Sequence, residues 1–173
     1  MKSRPRPNKG DYLLRLGVIS DTHIPKAAAD IPEAVYKAFK GVDMILHAGD
    51  VLEMSVLKNL QKLAPVKAVC GNMDGEDMRK ALKEREVITA GGFRIGLVHG
   101  HGPIKGLEER VGKLFDKNID VIVFGHSHMP ANEVRGKTLF FNPGSPTDKV
   151  FAPFNTYGIL EIGKAVCGSI INI

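Results

Sequence analysis

Five times along this chain an apolar run breaks off into a short polar motif. The motifs read Asp21-Thr22-His23, Gly49-Asp50, Gly71-Asn72, His99-Gly100-His101 and Gly125-His126-Ser127-His128, and they hold five of the six histidines. The runs before them are Leu13 to Ile19, Val42 to Leu46, Val66 to Cys70, Phe93 to Val98 and Val121 to Phe124. They are short and apolar, the pattern of buried strands. In open α/β sheets, ligands bind beyond the carboxyl ends of the strands. Five polar strand ends in series therefore read as one site assembled from distant parts of the chain.

Between the strands lie helix signals. Ile31 to Lys40 carries Pro32 in its first turn and stops at Gly41, and Met54 to Leu63 has helical apolar spacing and stops before Pro65. The first half thus reads β-α-β-α-β, which predicts a parallel sheet with right-handed crossovers. The second half changes character. Glu86 to Ala90 and Phe93 to Val98 flank Gly91-Gly92, a hairpin signal. A helix is expected from about Leu107 to Asp116. Glu133 to Arg135 with Thr138 to Phe140, and Tyr157 to Ile162 with Ala165 to Ile173, read as further hairpins. A parallel first half and a largely antiparallel second half fit two mixed sheets packed face to face with helices outside.

At 173 residues one domain is the natural expectation, here over 11–173. The net charge of +5 is concentrated at the start. Lys2, Arg4, Arg6 and Lys9 lie in residues 1–10, and without them 20 basic residues face 19 acidic ones. Residues 1–10 are read as a basic, flexible tail. A nearly neutral body gives no ground for a stable nucleic-acid complex. Cys70 and Cys167 sit in apolar surroundings with no CxxC spacing, so a thiolate zinc site is excluded and reduced thiols are expected. No run approaches the roughly 18 residues of a membrane span. A soluble cytoplasmic protein without a membrane association is the expectation. The C-terminal strands leave room for a homo-oligomer, since exposed edges invite pairing.

The strand-end donors are carboxylate, imidazole and amide, without sulfur. That mix suits manganese, iron, zinc, nickel or similar divalent ions. Asp21, His23, Asp50, Asn72, His99, His126 and His128 are too many for one ion, and a carboxylate can bridge, so two ions about 3.5–4 Å apart are expected. Read in extended backbone, Asp21 with His23 and His126 with His128 form paired arms, because side chains two apart point the same way. The glycines at 49, 71, 100 and 125 are read as sharp turns beside a crowded site. Taken singly, Asp-Thr-His is a turn or a helix cap, Gly-Asp and Gly-Asn are ordinary turns, and His99 is a hydrogen-bonded structural residue. Their order and common placement at strand ends argue for the site.

This order, DxH, GD, GN, H and GHxH, resembles the calcineurin-like metallophosphoesterases, in particular their small bacterial and archaeal phosphodiesterase branch. The likeness runs from about Leu14 to the C-terminus and includes Asn142-Pro143-Gly144-Ser145. It implies a four-layer αββα sandwich of two mixed β-sheets flanked by helices, with a dinuclear metal centre. By this likeness Asp21, His23 and His128 take one ion, Asn72, His99 and His126 the other, and Asp50 bridges. Manganese is the first choice of metal, with nickel, iron, zinc or magnesium as alternatives. The implied reaction is hydrolysis of a small phosphodiester by in-line attack of a metal-bridging hydroxide, with Asn72 helping to orient the phosphoryl group.

The sequence departs from the pattern at one point. Many relatives read Gly-Asn-His-Asp/Glu, and that histidine protonates the leaving group. Here Met73 stands between Asn72 and Asp74, and a thioether cannot donate a proton. Asp74 is expected to orient a neighbour. His101 is the first candidate for the missing acid and His47 the second, although His47 is read mainly as a support for the ligands. The rival functions are a phosphomonoesterase or nuclease with the same centre, and a metal-free interaction scaffold like the retromer subunit of this fold. The scaffold predicts eroded ligands, whereas all seven positions are filled.

Overall fold

Among the described residues, three hydrophobic cores explain why the central strands are apolar without alternation. A computed structural model of the protein describes residues 12–173, and the basic stretch 1–10 lies outside the described residues. In chain order the elements are β1 (Tyr12–Ile19), α1 (Glu33–Phe39), β2 (Met44–His47), α2 (Met54–Gln61), β3 (Val66–Ala68), α3 (Glu76–Ala81) and β4 (Arg85–Ala90). There follow β5 (Phe93–Val98), α4 (Leu107–Gly112), β6 (Val121–Val123), β7 (Ala131–Arg135), β8 (Thr138–Asn142), β9 (Thr156–Gly163) and β10 (Val166–Asn172). They form two five-stranded sheets, in the orders β10-β9-β1-β2-β3 and β4-β5-β6-β8-β7.

The sheets pack face to face. Leu16, Val18 and Leu46 of the first sheet meet Ile95, Leu97, Val121, Val123 and Phe141 of the second in the central core. Ile19, Ile45 and Ile159 point the other way, against Val35 and Phe39 of α1 and Val56, Leu57 and Leu60 of α2. Val98, Ile122 and Phe140 cover the outer face of the second sheet together with Leu107 and Val111 of α4. Successive residues of a strand face opposite layers, and here both layers are apolar. The result is the expected αββα sandwich. Gly17 is part of its fit, since a Cβ there would come within 2.8 Å of the Phe39 ring.

Parallel pairing is more extensive than the hairpin signals predict. β1, β2 and β3 are parallel as expected, but β5, β6 and β8 are parallel as well. Antiparallel pairing in the second sheet is confined to its edges, β4 on β5 and β7 on β8. The hairpins at Gly91-Gly92 and Gly136-Lys137 are real, yet each adds an edge strand to a parallel centre. The short helix α3 was not foreseen, and α1 starts at Glu33 with Pro32 as its cap. Among the described residues no helix is long and apolar enough to cross a membrane. The arrangement places the C-terminal ends of β1, β2, β3, β5 and β6 at one end of the sandwich, where the two sheets meet.

Candidate metal centre

The backbone leaves the extended state as soon as these strands end. Among the described residues six non-glycine positions have positive φ, and five of them are predicted ligands: Asp21 (53°), His23 (45°), Asp50 (54°), His126 (69°) and His128 (56°). The extended reading of Asp21/His23 and His126/His128 is therefore corrected: they stand on left-handed backbone. Such a conformation costs about 1–3 kcal/mol per residue and persists only where its surroundings enforce it. Here the enforcement is visible. Asp21 N–H donates to Gly49 O and His23 N–H to Asp50 O, both at 3.0 Å. His126 N–H donates to the Asp21 carboxylate at 3.1 Å, and the Ser145 hydroxyl donates to Asp21 O at 2.7 Å. The glycine reading also divides. Gly49 and Gly100 do adopt positive φ. Gly71 and Gly125 are needed for space, because a Cβ on the first would overlap the Asp50 carboxylate and on the second the Ser20 hydroxyl.

All seven predicted ligands meet, in two groups. His23 Nε2, His128 Nε2 and Asp21 Oδ1 converge, with His128 3.2 Å from His23 and 3.3 Å from Asp21. Asn72 Oδ1 lies 3.1 Å from His99 Nε2 and 2.8 Å from His126 Nδ1. Asp50 Oδ2 stands between the groups, 3.5 Å from His23 Nε2 and 3.3 Å from His99 Nε2. Donors about 2.1 Å from a common ion lie roughly 3.0–3.4 Å from one another. The separations within the two groups bracket that spacing, from 2.8 Å between Asn72 and His126 to 3.8 Å between His23 and Asp21.

The hydrogen bonds fix which ring atoms face inward. His99 Nδ1 is 2.7 Å from Ala48 O, His126 Nε2 is 2.7 Å from Gly102 O, and His128 Nδ1 is 2.5 Å from Asp148 Oδ2. A carbonyl or carboxylate oxygen can only accept, so each of these nitrogens carries the proton. In the neutral rings the opposite nitrogens then present lone pairs to Asn72 Oδ1, to Asp50 and to Asp21. Lone pairs held this close repel unless a cation lies between them, and the donor set is one that divalent metals favour. The residues fit such ions.

The comparisons agree. The model of the calcineurin-like phosphoesterase superfamily domain matches residues 14–165. The chain belongs to the calcineurin-like phosphoesterase superfamily. A probable metallophosphoesterase of Methanothermobacter thermautotrophicus is 44% identical over 137 residues, 76% of this chain and 77% of its own. A phosphodiesterase of Methanocaldococcus jannaschii is 27% identical over 170 residues, covering 87% of this chain and 95% of its own. Among solved structures, wild-type Vps29 of Entamoeba histolytica complexed with zinc is 27% identical with a TM-score of 0.71, covering 92% of this chain and 99% of its own.

In this metallophosphoesterase, further side chains hold the donors, one of them expected and two not. Asp74 is buried, and its carboxylate accepts from the N–H groups of Asp50, Leu52 and Gly71 at 3.1, 2.7 and 2.7 Å. It thus orients neighbours, as its position beside Asn72 suggested. Asp148 was missed. It joins His128 in a carboxylate–imidazole pair and accepts from Val150, Phe151 and Ala152 N–H. Arg110 was missed too. It donates to the carbonyls of His101, Pro103 and Lys105, holding the loop whose Gly102 carbonyl fixes His126. His47 is fully buried, accepts from Gly49 N–H through Nδ1 and faces the Thr22 hydroxyl through Nε2. Burial drives its pKa down to about 3, so it is a neutral support rather than an acid. His101 is exposed and lines a cleft with Asn72 and His99.

Without an ion the same atoms compete for protons. Burial disfavours a charged His128, but Asp21 and Asp148 outweigh it and raise its pKa to about 9. At His99 the same contest, decided by Asp50 and Asp21, ends at about 8. Burial pushes His23 the other way, against the pull of Asp50 and Asp21. Burial also opposes the Asp50 carboxylate, yet His99, the Met73 N–H and His23 hold its pKa below the ordinary value. These directions set the pH dependence of the metal-free protein. His99 and His128 keep protons that an unfolded chain releases near pH 6.5. Their stabilisation is complete below that pH and is lost as pH rises through about 8 and 9, at about 1.4 kcal/mol per pH unit for each unmatched proton. His47 acts oppositely: its contribution is present above pH 6.5 and is lost as pH falls toward 3. Chelator-treated protein should therefore lose melting temperature from pH 6.5 to 9, and manganese should abolish that loss. Parallel curves with and without metal would refute the proton-for-metal exchange.

Proposed function

We propose that the seven side chains hold two divalent cations, manganese first among them, and that the protein is a phosphodiesterase acting on a small diester in the cytoplasm. The observation that carries this reading is the single oxygen, Asp50 Oδ2, set within 3.5 Å of a histidine from each group. A carboxylate in that position suits a bridge. Bound there, such ions supply a water acidified to a pKa of about 7 and positive charge for the phosphoryl oxygens. Asp21 and Asp50 bring only two negative charges against four, so the site stays cationic toward a phosphate group. Asn72 offers its amide oxygen to one group of donors and helps to align the phosphorus. Asp148 and Ala48 hold the outer nitrogens of His128 and His99, which fixes the tautomers. His101, at the cleft rim, hands a proton to the departing oxygen in place of the absent histidine at Met73. The likeness to Vps29 brings in a scaffold reading, but a docking role gives no reason for seven convergent donors with fixed tautomers.

Elemental analysis of the purified protein, followed by kinetics on 4-nitrophenyl mono- and diesters with added manganese, tests the reading. Two metals per chain and preference for diesters are expected, and a protein that takes up no manganese and turns over neither ester with manganese added would end it. His101→Ala should slow alkyl leaving groups about 10²-fold, within the range of general acid catalysis, and 4-nitrophenolate far less. Equal slowing of both would remove His101 from the role.

A further inference from the structure

The metal centre shares its opening with a second feature. Beside Asn72 and His99 lies a cleft of about 480 Å³, bounded beyond them by the start of β4 and the segment after α4. Its apolar lining, Cys70, Val98 and Leu114, is buried or half-buried. Its charged lining, Arg79, Glu84 and Arg85, is exposed.

The two arginines are held but not neutralised. Arg79 donates from Nε to Asp74 O and from Nη2 to Asn72 O, both at 2.9 Å. Arg85 donates from Nη1 to Leu114 O at 3.1 Å. A guanidinium has five N–H groups, so each keeps donors to spare. Among the described residues neither has a carboxylate within ion-pair distance, whereas the neighbouring Lys80 and Lys83 are paired with Glu76 and Glu86. Backbone anchoring aims a planar, always-charged fork into the cleft, the arrangement that recognises phosphate. With Glu84 counted, the lining keeps one net positive charge.

We propose that this cleft is a subsite for a second phosphate, carried by the substituent of the diester that lies on the Asn72 side. The proposal rests on the phosphodiesterase reading and adds the substrate class. The apolar lining takes the carbon skeleton between the two phosphates. Arg85 and Arg79 take the second phosphate itself, and Glu84 accepts a hydroxyl while disfavouring excess negative charge.

Two measurements test it. Calorimetry on metal-free protein reads the affinity for thymidine 3′,5′-bisphosphate. Kinetics with manganese compare the 4-nitrophenyl ester of thymidine 5′-phosphate with its 3′-phosphorylated form, a pair differing by one phosphate. Losing a charge-assisted contact, Arg85→Gln should weaken bisphosphate binding about tenfold and lower the kcat/KM ratio of phosphorylated to unphosphorylated ester about tenfold. Glu84→Gln should shift both in the opposite direction. Lys137→Gln, an equal charge loss in the β7–β8 turn, controls for bulk electrostatics. If Arg85→Gln and Lys137→Gln behave alike, the subsite is overturned. Hydrolysis of both esters with an unmoved ratio overturns the subsite and leaves the phosphodiesterase reading intact. Hydrolysis of neither ester overturns that reading, and calorimetry still decides the cleft.

Discussion

Asp50→Asn is expected to cut kcat/KM by at least about 10³-fold, a loss of roughly 4 kcal/mol of transition-state stabilisation, and to lower metal content. The geometry makes the change more than the loss of one charge. Asp50 Oδ1 already accepts the Met73 N–H at 2.7 Å, while Oδ2 faces His23 and His99. An asparagine keeps its only oxygen on the Met73 N–H, so its amide nitrogen takes the shared position. A hydrogen-bond donor then stands where both groups need an acceptor. Elemental analysis and steady-state kinetics on one preparation read both effects. A variant that kept two metals and full turnover would show that Asp50 does not bridge.

Asp74→Ala should destabilise the metal-free fold by about 4 kcal/mol or more. Two buried N–H groups and one part-buried one lose their acceptor, and each buried donor left without a partner costs about 1–3 kcal/mol. The residues concerned are Asp50, Leu52 and Gly71, so the damage falls on the loops that carry Asp50 and Asn72. Asp74→Asn separates this account from a general loss of charge. Its oxygen can replace Oδ2, which serves Asp50 and Gly71, but its amide nitrogen confronts the Leu52 N–H. The asparagine variant should therefore fall between wild type and alanine in urea unfolding. Equal losses in the two variants would mean that charge, not acceptor count, sets the cost.

The layers were legible because both faces of the central strands are buried. Val121, Ile122 and Val123 are an uninterrupted apolar run for that reason, with two residues facing the partner sheet and one facing α4. The convergence of the seven side chains was legible because strand ends recur in a fixed order. What stayed hidden was non-local or too short to leave a pattern. The parallel pairing of β8 with β6 depends on which edge β7 takes, and no local signal states it. α3 is six residues long and buries only Met78, although Glu76 and Asp77 before Arg79 and Lys80 are a helix signature in miniature. Asp148 in a Pro-Thr-Asp loop reads as an ordinary turn residue until His128 is seen beside it. Arg110 on a short helix reads as a solvated charge until its carbonyl partners are placed.

The left-handed backbone was hidden as well: aspartate and histidine are enriched at positive φ, but most of them still stand on ordinary backbone, so the residue type alone does not announce it. It has a consequence for anyone who tries to harden this enzyme. At residues 21, 23, 50, 126 and 128 the conformation a glycine or asparagine would relieve is the one that aims a donor. A screen for heat resistance alone will therefore enrich variants at those positions and return sturdier proteins with no catalysis. Selecting on turnover and melting temperature together is the only way to keep both.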